Sequence, residues 1–353
     1  TYGGVSLFVV AFAIYPIAKS MFQAADIPKR LIPGAIALGS FTFTMTALPG
    51  TPSIQNAIPI PYFGTNVFAA PGIGIISGLV MFGLGAMWLQ SRANKAQSKG
   101  EGYGVDTQES EKLIDGVTSQ GHMPVLLALL PLLLVIGVNA LFTYVIFPSV
   151  DFSSLKDLYP KLEPAKQTGL WSLIIALVVA CLSLVLFRLG KWNNLKDTVN
   201  KGVLGSMLPI FNTASEVGYG AVVASLAGFV VIRDMVLNVS SNPLVSEAVA
   251  MNILAGITGS SSGGMSIALQ TLGADYLAMA NAAGISPELL HRIAALAAGC
   301  LDTLPHSGAV ITLLAICGMT HKQSYGNVAM CTVVIPMVSV VVAITLGTVF
   351  GSF

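Results

Sequence analysis

Apolar runs of roughly bilayer length follow one another along this chain, and the segments between them are mostly short. The runs lie at 5–22, 31–48, 72–89, 125–147, 170–187, 203–232, 243–257, 265–283, 293–316 and 328–350. A spanning helix needs about 20 predominantly apolar residues, so the pattern predicts an all-α polytopic membrane protein. The polar stretches between the runs predict turns at 26–30 and 151–166 and a polar interfacial helix at 191–201, with Trp192 as its anchor. The one long hydrophilic stretch, 92–120, reads as a solvated linker rich in Gly and Ser.

Several runs are interrupted in ways that a lipid-facing helix does not tolerate. The run at 31–48 stops at Pro49-Gly50-Thr51-Pro52-Ser53-Ile54-Gln55-Asn56, too rich in Pro for a helix. Pro209 and Asn212-Thr213-Ala214-Ser215-Glu216 interrupt 203–232. Thr258-Gly259-Ser260-Ser261-Ser262-Gly263-Gly264 separates two apolar arms and reads as the tip of a re-entrant hairpin. Asp302-Thr303-Leu304-Pro305-His306-Ser307-Gly308 sits inside the run at 293–316. Irregular backbone at membrane depth occurs only where it is buried in protein or lines a wet cavity. Ionisable groups there mark functional sites.

The breaks recur in order. Thr46-Ala47-Leu48-Pro49-Gly50-Thr51 parallels Asp302-Thr303-Leu304-Pro305-His306-Ser307. Ala24-Ala25-Asp26-Ile27 parallels Ala282-Ala283-Gly284-Ile285, and Gly3-Gly4-Val5-Ser6-Leu7 parallels Gly263-Gly264-Met265-Ser266-Ile267. Three matches in register predict an internal repeat, and paired broken helices in two halves point to a transporter binding site. The predicted organisation is the later part of repeat one at 1–91, a cytoplasmic linker at 92–122 and repeat two at 123–353. Because Thr1 stands already inside a repeat motif, the same logic expects the counterpart of roughly 123–260 to lie mostly before it, leaving repeat one truncated at its N-terminal side.

Composition agrees with a bilayer solvent. Of 353 residues 54% are hydrophobic and only 9% charged, against about 25% charged in soluble domains. A net charge of +1 with no Lys/Arg cluster argues against nucleic acid as a partner. The four cysteines lie in apolar runs without metal or disulfide spacing and read as core residues. The segments 92–120 and 188–201 hold four Lys/Arg each and 151–166 holds three, which places the first two on the cytoplasmic side.

Candidate chemistry therefore concentrates in three breaks. Thr46, Gly50, Thr51, Ser53, Gln55, Asn56, Ser260, Ser261, Ser262, Gly263, Thr303 and Ser307 are the candidate substrate ligands. Free backbone N–H groups and hydroxyls at helix N-termini bind a carboxylate without a cationic side chain, and these motifs supply no Arg. Asp302, Glu216 and His306 are the candidate proton carriers. The competing readings are close packing of small residues at 258–264, an internally satisfied carboxylate at Asp302, a hydrogen-bonded core residue at His306 and an internal cap at Glu216. Glu247 and Asp275, nearer the segment ends, read as solvated or interfacial. No cofactor or metal site is called for.

The run from Thr44 to Pro59, with Phe63-Gly64-Thr65 and Ala69-Ala70-Pro71-Gly72, resembles the signature of the gluconate permease family. So do Asn212 through Gly218, Gly259 through Gly264 and Leu301 through Gly308. The resemblance covers the chain outside 92–120. It implies a place in a larger superfamily of ion transporters with inverted repeats, a multi-pass position in the bacterial inner membrane and an elevator-like motion. It also implies proton symport of gluconate, another sugar acid or a short hydroxy acid such as 3-hydroxybutyrate or glycerate, and a homodimer. Sodium coupling is the rival within transport, since free carbonyls at broken helices also bind Na⁺. A channel would need a continuous polar stripe. A membrane hydrolase would need Ser307 and the adjacent His306 to meet at one atom.

Overall fold

The computed structural model describes residue 2, residues 7–104, 125–153, 155, 159, 164–187 and 194–353; at 7–9, 12, 125–128, 165, 166 and some positions between 201 and 233, only the backbone. The described residues are helical and contain no strand. In chain order the first helices are α1 (Leu7–Ala24), α2 (Ile32–Ser40), α3 (Phe43–Thr46), α4 (Ile54–Ala57), α5 (Ile60–Phe63) and α6 (Pro71–Gln97). They are followed by α7 (Val125–Leu141), α8 (Pro164–Phe187), α9 (Leu195–Ser225), α10 (Ala227–Leu237), α11 (Pro243–Thr258), α12 (Ser261–Ala282), α13 (Pro287–Ala298) and α14 (Gly308–Ile316). The last is α15 (His321–Phe350). Among the described residues, Pro71–Gln97, Leu129–Ser149, Gln167–Phe187 and His321–Phe350 are long and apolar enough to cross a membrane. The protein is an all-α polytopic membrane protein.

The later helices start where local chemistry starts them. Asn242 accepts from the Leu244 N–H at 3.0 Å, Ser260 from Gly263 at 3.2 Å and Ser286 from Glu288 at 3.3 Å. Each satisfies an N–H that the first helical turn leaves open. Pro243 and Pro287 occupy first positions where no N–H is needed.

Two sequence-related turns share one geometry. Ile27 N–H donates to Phe22 at 2.9 Å, and Ile285 N–H to Ala280 at 2.8 Å. The residue before each isoleucine is left-handed, Asp26 at φ 50° and Gly284 at φ 68°. Both turns are Schellman-type helix ends. They lie at opposite ends of α6, whose rise is about 40 Å. The Asp26 turn meets the chain beyond the α6 C-terminus, through Tyr103 N–H to Asp26 Oδ1 at 2.9 Å and Arg30 to Glu101 at 2.6 and 2.8 Å. The helix that follows the Gly284 turn is held at the other end, through Ser352 Oγ to Glu288 at 3.0 Å and Gly72 N–H to Phe353 at 2.8 Å.

Two large apolar clusters form most of the interior, beside a small third one of Ile60, Val67 and Leu173. One gathers Ile73, Met81, Met251, Leu272, Tyr276, Leu290 and Ile293; the other gathers Tyr15, Ile32, Phe41, Leu313 and Val328. The chain crosses between them twice without a continuous helix, from Phe41 to Ala47 and from Cys300 to Val310.

Three expectations are corrected here. The helix expected at 31–48 ends earlier, at Ser40, where hydroxyls beyond it bond its last carbonyls: Thr42 donates to Leu38 at 2.5 Å and Thr44 to Gly39 at 2.7 Å. The interruption expected at Pro209 and 212–216 is absent from the backbone, since α9 runs through it and the break falls at extended Leu226; membrane helices accommodate interior Pro when neighbouring groups take up the freed carbonyl. The linker expected from 92 begins as helix up to Gln97 and then docks on the Asp26 turn. Residues 105–124, and Trp192 of the expected interfacial helix, lie outside the described residues.

Candidate functional site

The three breaks meet. Helices α11 and α12 form a hairpin whose tip is Gly259, left-handed at φ 64°, and Ser260. The arms touch so closely that a Cβ on Gly264 would lie 2.2 Å from the Ala255 nitrogen. Gln55 Nε2 donates to Ser261 Oγ at 2.9 Å, joining the first break to the hairpin tip. The Ser261 hydroxyl in turn hydrogen-bonds the Asp302 carboxylate, joining the tip to the second break. Ser307 Oγ donates to Gly259 at 3.0 Å, and His306 Nε2 lies 3.0 Å from the Gly256 carbonyl. The two breaks touch each other directly, since a Cβ on Gly299 would come within 2.6 Å of Thr46 Cγ2.

Asp302 is 7% exposed, and its Oδ1 has no partner. A buried carboxyl oxygen without a donor is an open acceptor in a polar centre. His306 Nε2 must carry the hydrogen, because a carbonyl only accepts; its ring is exposed. Ser260 and Ser262 are half-buried, with their hydroxyls 3.2 Å apart. The N-termini of α12 and α14 converge here, which concentrates positive partial charge.

Other candidates are committed to the scaffold. Gly50 is left-handed at φ 78°, its N–H donates to Val67 at 2.9 Å, and a Cβ would meet the Phe68 ring at 2.8 Å. Ser53 Oγ donates to Met45 at 2.5 Å, and Thr46 Oγ1 to Thr42 at 3.1 Å. Thr51 Oγ1 lies 3.1 Å from the Tyr2 carbonyl and accepts from Ser53 N–H at 3.3 Å. Gly263 N–H is held by Ser260. Thr332 Oγ1 donates to Val328 at 2.9 Å, so Thr303 Oγ1 donates to Thr332 at 2.7 Å. The side chain of Glu216 lies outside the described residues, and only its place in α9 is known.

Asn56 is a structural hub rather than an open ligand. Its Nδ2 donates to Thr51 at 2.9 Å and to Val67 at 2.8 Å. Its Oδ1 accepts from Arg292 Nη1 at 3.2 Å and faces His291 Nε2 at 3.1 Å. His291 Nδ1 meets Thr65 Oγ1 at 2.6 Å. Arg292, 0% exposed, also donates to the Ala69 carbonyl at 2.7 and 3.0 Å and to Thr46 at 3.3 Å. The second half thus contributes a buried cation to the backbone of the first break, where the motifs alone supplied none. Its signal was the pair His291-Arg292 inside an otherwise apolar helix.

Glu247 is a second correction. It is fully buried, not solvated or interfacial, and neither carboxyl oxygen has a partner. The start of α11 is covered from two sides. Asn242 bonds Thr348 at 3.0 Å, and Tyr276 donates to the Ser246 carbonyl at 3.2 Å.

Broken apolar helices arranged around one shared polar centre are the architecture of a polytopic membrane transporter. A protein of Bacillus subtilis (strain 168) named "Uncharacterized transporter YxjC" is 46% identical over 349 residues, covering 95% of this chain and 73% of the relative. The chain belongs to the family of that transporter. No family model matches the chain. No solved structure matches it.

Proposed function

We propose that the protein is a proton-coupled symporter that imports gluconate or a related small hydroxy-carboxylate across the bacterial inner membrane. The observation that carries this reading is the bonded line Gln55–Ser261–Asp302. It ties three discontinuous segments to one carboxyl whose second oxygen is open and buried.

The chemistry follows from the parts. The helix N-termini at Ser261 and Gly308 and the half-buried hydroxyls of Ser260 and Ser262 offer donors to a substrate carboxylate and its hydroxyls. Buried Arg292 favours an anion nearby while its own N–H groups hold the first break. Asp302 takes the coupling proton, so that carboxylate and proton enter together. Loss of that proton on the inner side leaves the Asp302 anion close to the substrate anion, and their repulsion favours release. The matched turns at Asp26 and Gly284, at opposite ends of α6, support two repeat-related units, 1–91 and 123–353, joined by 92–122. One unit moves against the other in this reading, within a homodimer.

The test is uptake of labelled gluconate and 3-hydroxybutyrate into proteoliposomes under an imposed pH or sodium gradient. Uptake driven by the pH gradient and lost in Asp302→Asn supports the reading. Uptake driven only by sodium replaces the proton. An Asp302→Asn carrier that still follows the pH gradient removes Asp302 as the carrier of the coupling proton.

A further inference from the structure

We propose that Glu247 is a second proton-binding site of the carrier, separate from Asp302 and loaded in the conformation described here. This goes beyond the role given to Asp302 and rests on the proton-coupled reading.

Glu247 lies on the outer arm of the hairpin, about 16 Å of helix rise from the tip that Asp302 touches. It is 0% exposed, and both Oε1 and Oε2 are buried without a hydrogen-bond partner. Tyr276 of α12 is the titratable side chain that acts on it, and the Tyr276 hydroxyl is already given to the Ser246 carbonyl. Asp275 on α12, Asp234 on α10, and Glu288, His291 and Arg292 on α13 are the other described charged or titratable groups of the packed helices, and none bonds it. The stretch of α15 from Ile335 to Phe350 carries no charged residue.

A carboxylate ion in such a place has neither water nor a cation, whereas a neutral carboxyl is a far smaller burden. The ligand is therefore a proton on one carboxyl oxygen. It leaves as a proton to water when the hairpin arm becomes exposed, and the carboxylate is hydrated there. Because Glu247 and Ser261 belong to one tightly packed hairpin, a displacement that opens the tip also moves Glu247.

Two measurements test this. In difference infrared spectra at neutral pH, a protonated-carboxyl C=O band is expected in the wild type and in Asp302→Asn and is lost in Glu247→Gln. A spectrum unchanged by Glu247→Gln overturns the proposal. In proteoliposomes with the membrane potential clamped at zero, each coupled proton supports about tenfold accumulation per pH unit of gradient. Glu247→Gln is expected to keep gluconate counterflow while its accumulation ratio falls about tenfold under a gradient of one pH unit. An unchanged ratio overturns the proposal. Glu247→Asp is expected to restore the ratio, which a merely structural role of the longer side chain would not allow. If the wild type takes up neither gluconate nor 3-hydroxybutyrate, the symport reading fails by itself, and the infrared measurement alone decides the site.

Discussion

The Nε2 of Gln55 reaches Ser261 Oγ at 2.9 Å across 206 positions of sequence. The serine passes the contact on to Asp302 with its own hydrogen. A single hydroxyl therefore links the first break to the carboxyl, and its removal takes a partner from two groups at once.

Gln55→Ala and Ser261→Ala are expected to differ in kind. A neutral hydrogen bond contributes about 0.5–1.5 kcal/mol, so Gln55→Ala should raise the apparent KM for uptake roughly threefold to tenfold. Ser261→Ala strips the side-chain donor from a buried carboxyl, and coupled uptake should fall well below that of Gln55→Ala. Initial rates against substrate concentration check both, with folded yield measured beside them.

The Asn56 hub sets a stability prediction. Asn56→Ala takes one partner each from a buried Arg292 N–H, the His291 ring and the Thr51 and Val67 carbonyls. Leaving a buried polar group short of a partner costs about 1–3 kcal/mol, and several are affected at once. The expected result is a large loss of folded protein in detergent, read by thermal unfolding. Asn56→Asp should retain more stability than alanine, because it keeps the acceptor for Arg292.

Close approach of backbones makes a graded series. Gly264→Ala places a methyl 2.2 Å from main chain, which cannot yield, and Gly299→Ala places one 2.6 Å from the Thr46 side chain, while Gly308 faces open space. Overpacking costs about 1–3 kcal/mol. The melting temperature should fall most for Gly264→Ala, less for Gly299→Ala and hardly at all for Gly308→Ala.

The Arg30–Glu101 clasp predicts a pH dependence outside the bilayer. The hydrogen bond from Arg30 holds the Glu101 carboxyl below its ordinary value of 4.5. A depressed folded-state value means that the stabilisation is present above the unfolded pKa and is lost as pH falls through the folded one. The melting difference between wild type and Glu101→Gln should be steady near neutral pH and vanish in acid below 4.5. For a partly exposed surface pair it should not exceed about 1 kcal/mol.

Local chemistry made much of this molecule legible in one dimension. Apolar runs of bilayer length dictate helices because the backbone must bond to itself without water. The Pro49, Gly259 and Pro305 breaks are visible because Pro and Gly stand there among hydroxyl and amide residues that favour turns over helix, and the Ser260 and Ser286 caps are visible because a hydroxyl before a helical run satisfies its first N–H groups. Asp302 was singled out because a carboxyl among apolar residues needs a reason.

What tertiary packing alone decided is which of these groups remain available. Thr51, Ser53 and Asn56 read as ligands from their chemistry, yet neighbouring carbonyls consume their donors. Glu247 read as solvated from its place near a segment end, yet it is completely buried. Arg292 acquires its role only because Ala69 and Thr46, more than 200 positions away, place their carbonyls around it. Sequence determines what a side chain can donate or accept. Only the fold determines whether a partner has already taken it, because hydrogen-bond partners and burial are set by long-range packing that local patterns do not encode.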